Sequence, residues 1–206
     1  MMFSSSLASD RSPLILDTSV LINLHASGHG ARILAAVPND IIVPEAVALE
    51  LNTETGKANG EAGFIDALIK AETVHHTSLS DAEYSTFEQL VTGGKSLDDG
   101  EAATIAVAAA RNALPVIDER KGRSVAKNLM LNRPPAWSID LFTHPTVQNI
   151  LGVEASREAV YLALKQGRMR IHEDHCDPIV TMIGWERALD CTCLPNFKMR
   201  FRRQSA

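Results

Sequence analysis

Pro13-Leu14-Ile15-Leu16-Asp17-Thr18-Ser19-Val20-Leu21-Ile22-Asn23-Leu24 is the stretch on which the reading of the fold turns. A short apolar run ends on a carboxylate, and Val20, Leu21 and Leu24 then follow at helical spacing. Consecutive apolar residues without alternation fit a strand buried on both faces, the kind found in parallel sheets covered by helices. Ile41-Ile42-Val43-Pro44 repeats the pattern after a helix expected over Ala31 to Val37, and continues as a helix from Glu45 to Leu51. Phe64 to Ala71 is helical, and Thr73 to Leu79 is a weaker strand. Ser80-Asp81-Ala82-Glu83 has capping-box spacing and opens a helix to about Thr92. Asp98-Asp99-Gly100-Glu101 has the same spacing and opens an Ala-rich helix, Glu101 to Asn112. Leu114 to Asp118 is the fourth strand, Gly122 to Met130 a helix, and Pro135 to Ile139 a fifth short strand. The alternation predicts a three-layer α/β/α sandwich with a mainly parallel sheet.

Beyond Thr143 the pattern is helical only. One helix is expected over Ser156 to Gly167, and another opens at Asp177-Pro178, with Asp177 as N-cap, and runs to about Leu189. The run from Lys198 to Arg203 is basic. These features divide the chain into an α/β domain over 13–143 and a helical C-terminal extension over 144–206.

The 206 residues are 45% apolar and 22% charged, close to the globular average, and long enough to bury a core without staples. No apolar run approaches the roughly 20 residues that span a bilayer. Residues 1–13 lack a positive segment followed by an apolar one, which argues against a signal peptide. Three cysteines do not make a disulfide framework. The expectation is a cytoplasmic globular protein without a membrane segment. The net charge of −5 conceals an asymmetry: residues 1–110 hold 5 Lys/Arg against 15 Asp/Glu, and residues 111–206 hold 15 against 10. That asymmetry points weakly to a polyanion partner, and solvated helix faces account for it as well.

The carboxylates carry more. Asp17 closes the first strand and Asp118 the fourth, Glu50 lies in the helix after the second, and Glu101 opens the helix leading into the fourth. In open parallel sheets the functional crevice lies outside the carboxyl ends of the strands. Four carboxylates converging there repel one another and need cations to stay ionised together. Oxygen donors without interleaved His or Cys favour Mg²⁺ or Mn²⁺, which support phosphodiester hydrolysis by water. Each residue also has a plainer reading: Asp17 as an N-cap, Glu50 as a solvated helix position, Glu101 as a capping-box glutamate, Asp118 as a turn residue.

Leu14 to Ile22 resembles the opening of PIN-domain nucleases, Ile42 to Leu51 their second acidic segment, Leu97 to Ala106 the third and Val116 to Arg123 the fourth. The resemblance covers about Pro13 to Ile139, in order and at the right spacing. It implies a divalent-metal-dependent endoribonuclease, such as the toxins of bacterial VapC-like toxin–antitoxin systems. Asp17, Glu50, Glu101 and Asp118 match the family's acidic positions, with Asp17 bridging or anchoring the metal site, Glu101 and Asp118 completing it as metal ligands directly or through water, and Glu50 holding a water or a second ion. Ser19, or else Thr18, matches its small hydroxyl. Arg120, Lys121 and Arg123 then meet the RNA backbone, or form a solvated helix entrance. Glu101 stands where many members have Asp, with Asp98 and Asp99 beside it. A cognate antitoxin, and a homodimer or toxin–antitoxin hetero-oligomer, are implied by the resemblance alone; the Val20 to Leu24 helix and the 144–206 extension are the candidate apolar surfaces for a partner.

The rival readings are a catalytically silent PIN-fold module that binds nucleic acid or protein, and a small-molecule phosphatase. Leu16-Asp17-Thr18-Ser19 also resembles haloacid-dehalogenase phosphatases, but Ser19 occupies the place of their second Asp. Gly28-His29-Gly30 lacks a third glycine and a preceding strand, and Gly93-Gly94-Lys95-Ser96 lacks the first glycine of a P-loop. His172, His175, Cys176, Cys191 and Cys193 are the one soft-ligand cluster, read either as a zinc site or as free thiols and surface histidines.

Overall fold

The computed structural model describes residues 5–94, 96–131 and 133–201. Lys95 of the rejected P-loop pattern, and Arg202 and Arg203 of the basic tail, lie outside them. In chain order come β1 (Leu14–Leu16), α1 (Thr18–Ala26), α2 (Gly30–Ala36), β2 (Ile41–Pro44), α3 (Glu45–Leu51), α4 (Glu54–Asn59) and α5 (Glu61–Lys70). Then follow β3 (His75–Thr77), α6 (Asp81–Thr92), α7 (Asp99–Arg111), β4 (Leu114–Val116) and α8 (Arg120–Leu129). The last elements are α9 (Ser138–Phe142), α10 (Pro145–Leu151), α11 (Val153–Lys165), α12 (Glu173–Ile183), α13 (Trp185–Ala188) and α14 (Phe197–Phe201). None of the described helices is long and apolar enough to cross a membrane.

The described residues form two compact units, one of residues 9–22 and 38–137, the other of 5–8, 23–37 and 138–201. This division cuts the chain differently from the boundary expected at 143. The first unit holds the sheet, in the order β3-β2-β1-β4 with every pairing parallel. Leu14 pairs with Ile41 on one side and with Leu114 on the other, so β1 is central. Leu14, Ile15 and Leu16 are fully buried, which is why this strand shows no alternation. Helices flank the sheet, giving the α/β/α architecture that the sequence predicts.

The helix against the sheet is α7, buried without a break from Gly100 to Ala108. Its alanines leave room for close packing: Ala102 and Ile105 meet Leu97, Ile117 and Ala126, while Val107 and Ala108 meet Ile15 and Ala113. Thr104 Oγ1 donates to the Leu16 carbonyl, so its buried hydroxyl is satisfied. At the far end Arg111 Nε donates to Glu83 Oε1 at 2.7 Å. Glu83 also completes the Ser80 capping box, and the Arg111 guanidinium holds its carboxyl below the usual range.

Two expectations fail in this unit. Pro135 to Ile139 forms no fifth strand; it makes one parallel bridge, Val116 to Ala136, and turns into α9 at Ser138. Two prolines before Ala136 remove ladder donors, which limits pairing here. The helix α4 is additional to those expected, held by the Thr53 side chain accepting from the Gly56 amide and ended by Gly60 with φ of +83°.

In the other unit α2 packs on α9 and α10, and Thr146 Oγ1 donates to the Ala36 carbonyl at 2.8 Å. The helix α12 begins at Glu173 with His172 as its cap, not at Asp177, and Pro178 lies inside it. Buried Cys176, Ile179 and Ile183 form one face across the proline, which keeps the helix continuous despite the lost bond. Trp185 and Phe197 both pack on Phe201, with ring centroids 4.7 Å apart.

Candidate active site

Asp17 directly follows β1, and Asp118 lies two residues past β4. Because Leu16 pairs with Val116, both carboxylates emerge at the carboxyl ends of adjacent parallel strands. The chain moves from β1 outward to β2 and β3, then returns to the other side of β1 as β4. The β1–β4 boundary is therefore the topological switch point, where open α/β sheets form their binding crevice. Both aspartates are 3% exposed. Glu101, in the first turn of α7, is 4% exposed, and Glu50 on α3 is half-buried.

The local chemistry sets these groups apart from ordinary caps. In α6 the box is complete, with Ser80 and Glu83 bonding reciprocally. In α7 only half of it forms: Asp98 Oδ1 accepts from the Glu101 amide at 2.8 Å, while the Glu101 Oε1 atom is buried without a hydrogen-bond partner among the described residues. Glu101 is therefore not a capping-box glutamate. Its carboxylate sits over Gly122 of α8, where a Cβ would stand 2.5 Å from Oε1. Asp17 Oδ2 accepts from Ser19 Oγ at 2.7 Å. Thr18 Oγ1 donates to Glu50 Oε2, and the Gly100 amide donates to Glu50 Oε1 at 2.7 Å.

Burial pushes the Asp17 carboxyl up to about 7, with repulsion from Asp98 and Asp118 adding to it, against the pull of the Ser19 and backbone bonds. Burial likewise pushes Glu101 up to about 8, with Asp98, Asp17 and Glu119 adding and Lys121 opposing. Glu83, whose carboxylate accepts from Arg111, is instead held below the usual range.

The three basic residues of the fourth segment separate. Arg123 donates to the carbonyls of Ile117, Ala136 and Pro135 at 2.6–2.7 Å and lies over the Trp137 ring, 3.5 Å from its centroid. It pins the chain after β4 to α8, a structural task in place of the expected phosphate contact. Lys121 is exposed, donates to the Ser96 carbonyl and acts on Glu101 through its charge. Arg120 is exposed.

A family model described as a PIN domain matches residues 13–134, more than half of the chain. The chain belongs to the PIN-domain family. No curated protein and no solved structure gives a significant match. PIN domains are generally nucleases, and they typically use divalent metals. The PIN-domain match spans all four acidic segments and every residue of the cluster around Asp17 and Glu101.

The donors of this PIN domain fit a hard cation in chemistry: they are oxygens only, two of the carboxylates are raised by burial, and Glu101 Oε1 has no hydrogen-bond partner. They do not form a closed cage. Among the described residues no group of three or more His, Cys, Asp or Glu side chains is arranged to hold an ion. Asp17, Glu101 and Asp118, expected from the sequence to meet the ion directly or through water, are not among such a group. The same holds for His172, His175, Cys176, Cys191 and Cys193, which make no such group. Burial pushes the Cys191 thiol up to about 12, with Cys193 adding, which opposes the thiolate that zinc requires.

Three contributors were not assigned from the sequence. Asp98, close enough to Glu101 in sequence to compete for the third acidic position but given no role there, presses on both Asp17 and Glu101. Gly100 and Gly122 permit the close approach of Glu50 and Glu101 respectively. The glycine one residue before Glu101 in Asp98-Asp99-Gly100-Glu101 is the signal that could have revealed the first of these approaches.

Proposed function

We propose that this PIN-domain protein is a divalent-metal-dependent endoribonuclease that hydrolyses RNA phosphodiester bonds with Mg²⁺ or Mn²⁺, and that it serves as the toxin of a bacterial toxin–antitoxin pair. The observation supporting metal dependence is the pair Asp17 and Glu101, buried at the switch point, bonded to no cationic side chain among the described residues, and raised to about 7 and 8. A divalent cation supplies the positive charge that keeps both ionised, and polarises phosphate and water for hydrolysis. In this reading Asp17, oriented by Ser19, anchors the site, and Glu101 offers its unbonded oxygen. Asp118 completes the acidic rim from β4, directly or through water. Exposed Arg120 and Lys121 meet the phosphate backbone.

The choice of RNA, and the toxin role with its antitoxin, are supported by the resemblance of the four ordered segments. A homodimer or hetero-oligomer is supported by Ile150, Val153, Trp185, Leu189 and Met199, which are exposed in the unit of residues 138–201. The Val20 to Leu24 face offers no such surface, since Val20, Leu21 and Leu24 are fully buried.

The test is RNA cleavage by purified protein with Mn²⁺, with Mg²⁺ and with EDTA, beside Asp17→Asn. Metal-dependent cleavage that vanishes in the variant supports the proposal; equal cleavage by the variant sinks it. One observation favours a second reading, a silent PIN-fold binding module: the lack of a preformed three-donor group among the described residues. RNA binding that persists in EDTA, with no cleavage in either metal, would favour that module.

A further inference from the structure

We propose that Glu50 is a positioning residue, not a metal ligand: its carboxylate ties the residue after Asp17 to the residue before Glu101 and so fixes the separation of those two groups. The inference rests on the metal-dependent reading of the site. Thr18 follows Asp17 and donates to Glu50 Oε2; Gly100 precedes Glu101 and donates to Glu50 Oε1 at 2.7 Å. The Gly100 amide is one of the donors that the first turn of α7 cannot satisfy internally, and the Glu101 amide beside it is taken by Asp98. Carboxylates from two distant segments thus share the capping of one helix, an arrangement its dipole favours.

The packing is built for this tie. A Cβ at Gly100 would stand 2.5 Å from Glu50 Oε2 and 2.6 Å from Thr18 Oγ1, so only glycine lets the three groups meet. The leading charges are Asp98 and Asp118 on Asp17, and Asp98, Asp17, Glu119 and Lys121 on Glu101; Glu50 is not among them. Each oxygen of Glu50 already accepts a bond from the chain, whereas Glu101 Oε1 accepts none. The role differs from the water- or ion-holding one implied by the resemblance.

Glutamine keeps both bonds: its oxygen accepts from Gly100 and its amide donates to the Thr18 hydroxyl. Mn²⁺ affinity and amide exchange at Gly100 and Glu101, the latter in EDTA, are measured for the full chain, Glu50→Gln, Glu50→Ala and Thr18→Val. The expected result is Mn²⁺ affinity within about threefold of the parent in Glu50→Gln, against a loss of about tenfold or more in Glu50→Ala. Amide exchange should accelerate by a similar factor in Glu50→Ala and stay near the parental rate in Glu50→Gln, with Thr18→Val between the two in both readouts. Glu50→Gln losing Mn²⁺ as severely as Glu50→Ala makes Glu50 a ligand and overturns the proposal. Glu50→Ala with parental affinity and exchange overturns it too, leaving a residue of structural interest only. If the parent binds no Mn²⁺, the metal-dependent reading fails, and exchange at Gly100 alone decides the tie: fast in Glu50→Ala and slow in Glu50→Gln supports it, unchanged in both overturns it.

Discussion

Replacing Asp17 by Asn should stabilise the metal-free protein above neutral pH, although it removes a central residue of the site. Burial takes the Asp17 carboxyl from its ordinary 3.8 to about 7. At about 1.4 kcal/mol per pH unit, that difference corresponds to about 4 kcal/mol of penalty on the ionised folded state. Relaxation and water penetration reduce such penalties, so the expected gain at pH about 8 is about 2–4 kcal/mol. For a chain of this size that is a rise of roughly 4–16 °C in Tm. The sign follows from the protons. Between about pH 4 and 7 the folded parent holds a proton that the unfolded chain has lost, so stability declines as pH rises through that window and levels off above it. Asn has no proton to lose and can still accept from Ser19. The gain is therefore absent below about pH 4 and complete above about pH 7. Thermal or urea unfolding in EDTA, at steps from about pH 4.5 to 8.5, reads it directly. A variant less stable than the parent at pH 8, or a difference that does not change with pH, would refute the argument from burial.

Mn²⁺ or Mg²⁺ should bind more tightly as pH rises from about 6 to 8 and release protons on binding, because Asp17 and Glu101 titrate near 7 and 8 in the metal-free protein; calorimetry in buffers of different ionisation enthalpy counts those protons. Gly122→Ala should displace the Glu101 carboxylate, since the added Cβ falls 2.5 Å from Oε1, and weaken metal binding with little change in far-UV circular dichroism. Arg123→Ala should cost about 2–4 kcal/mol in chemical denaturation, from three lost carbonyl bonds and the Trp137 contact. Arg123→Lys should restore little of it, because an ammonium lacks the planar fork.

What the sequence made legible was local. The range Ile41–Pro44 stands as read, because a short apolar run followed by helical periodicity needs no distant information. The Ser80–Glu83 box formed with both of its bonds, since its partners lie one turn apart. The positions of Asp17 and Asp118 at strand ends followed from the same reading. The failures came where a distant contact decides or where no apolar period marks the element. Pro135 to Ile139 is as apolar as a buried strand, and periodicity alone cannot distinguish that from the start of a buried helix. The helix α4 has no apolar period at all and rests on its caps. Arg123 is basic beside acidic residues, yet its three carbonyl partners come from chain segments on either side of its own helix. Glu50 could be placed on its helix but not oriented, because its partners are an hydroxyl and an amide 32 and 50 residues away.

The interleaving of the chain between its two compact units has a consequence for synthesis. Residues 9–22 and 38–137, which make the sheet and the acidic cluster, are all translated before Ser138. The helix α2 is made early but packs on α9 and α10, which are made late. Its buried Ile33 and Leu34 therefore wait for partners. At about 5–20 residues per second, the 138–201 stretch takes roughly 3–13 s to emerge. During that interval the nascent chain carries a completed sheet alongside an uncovered apolar helix. That intermediate is one a chaperone would recognise, and a ribosome stalled once residue 137 has left the exit tunnel would hold it in place for isolation.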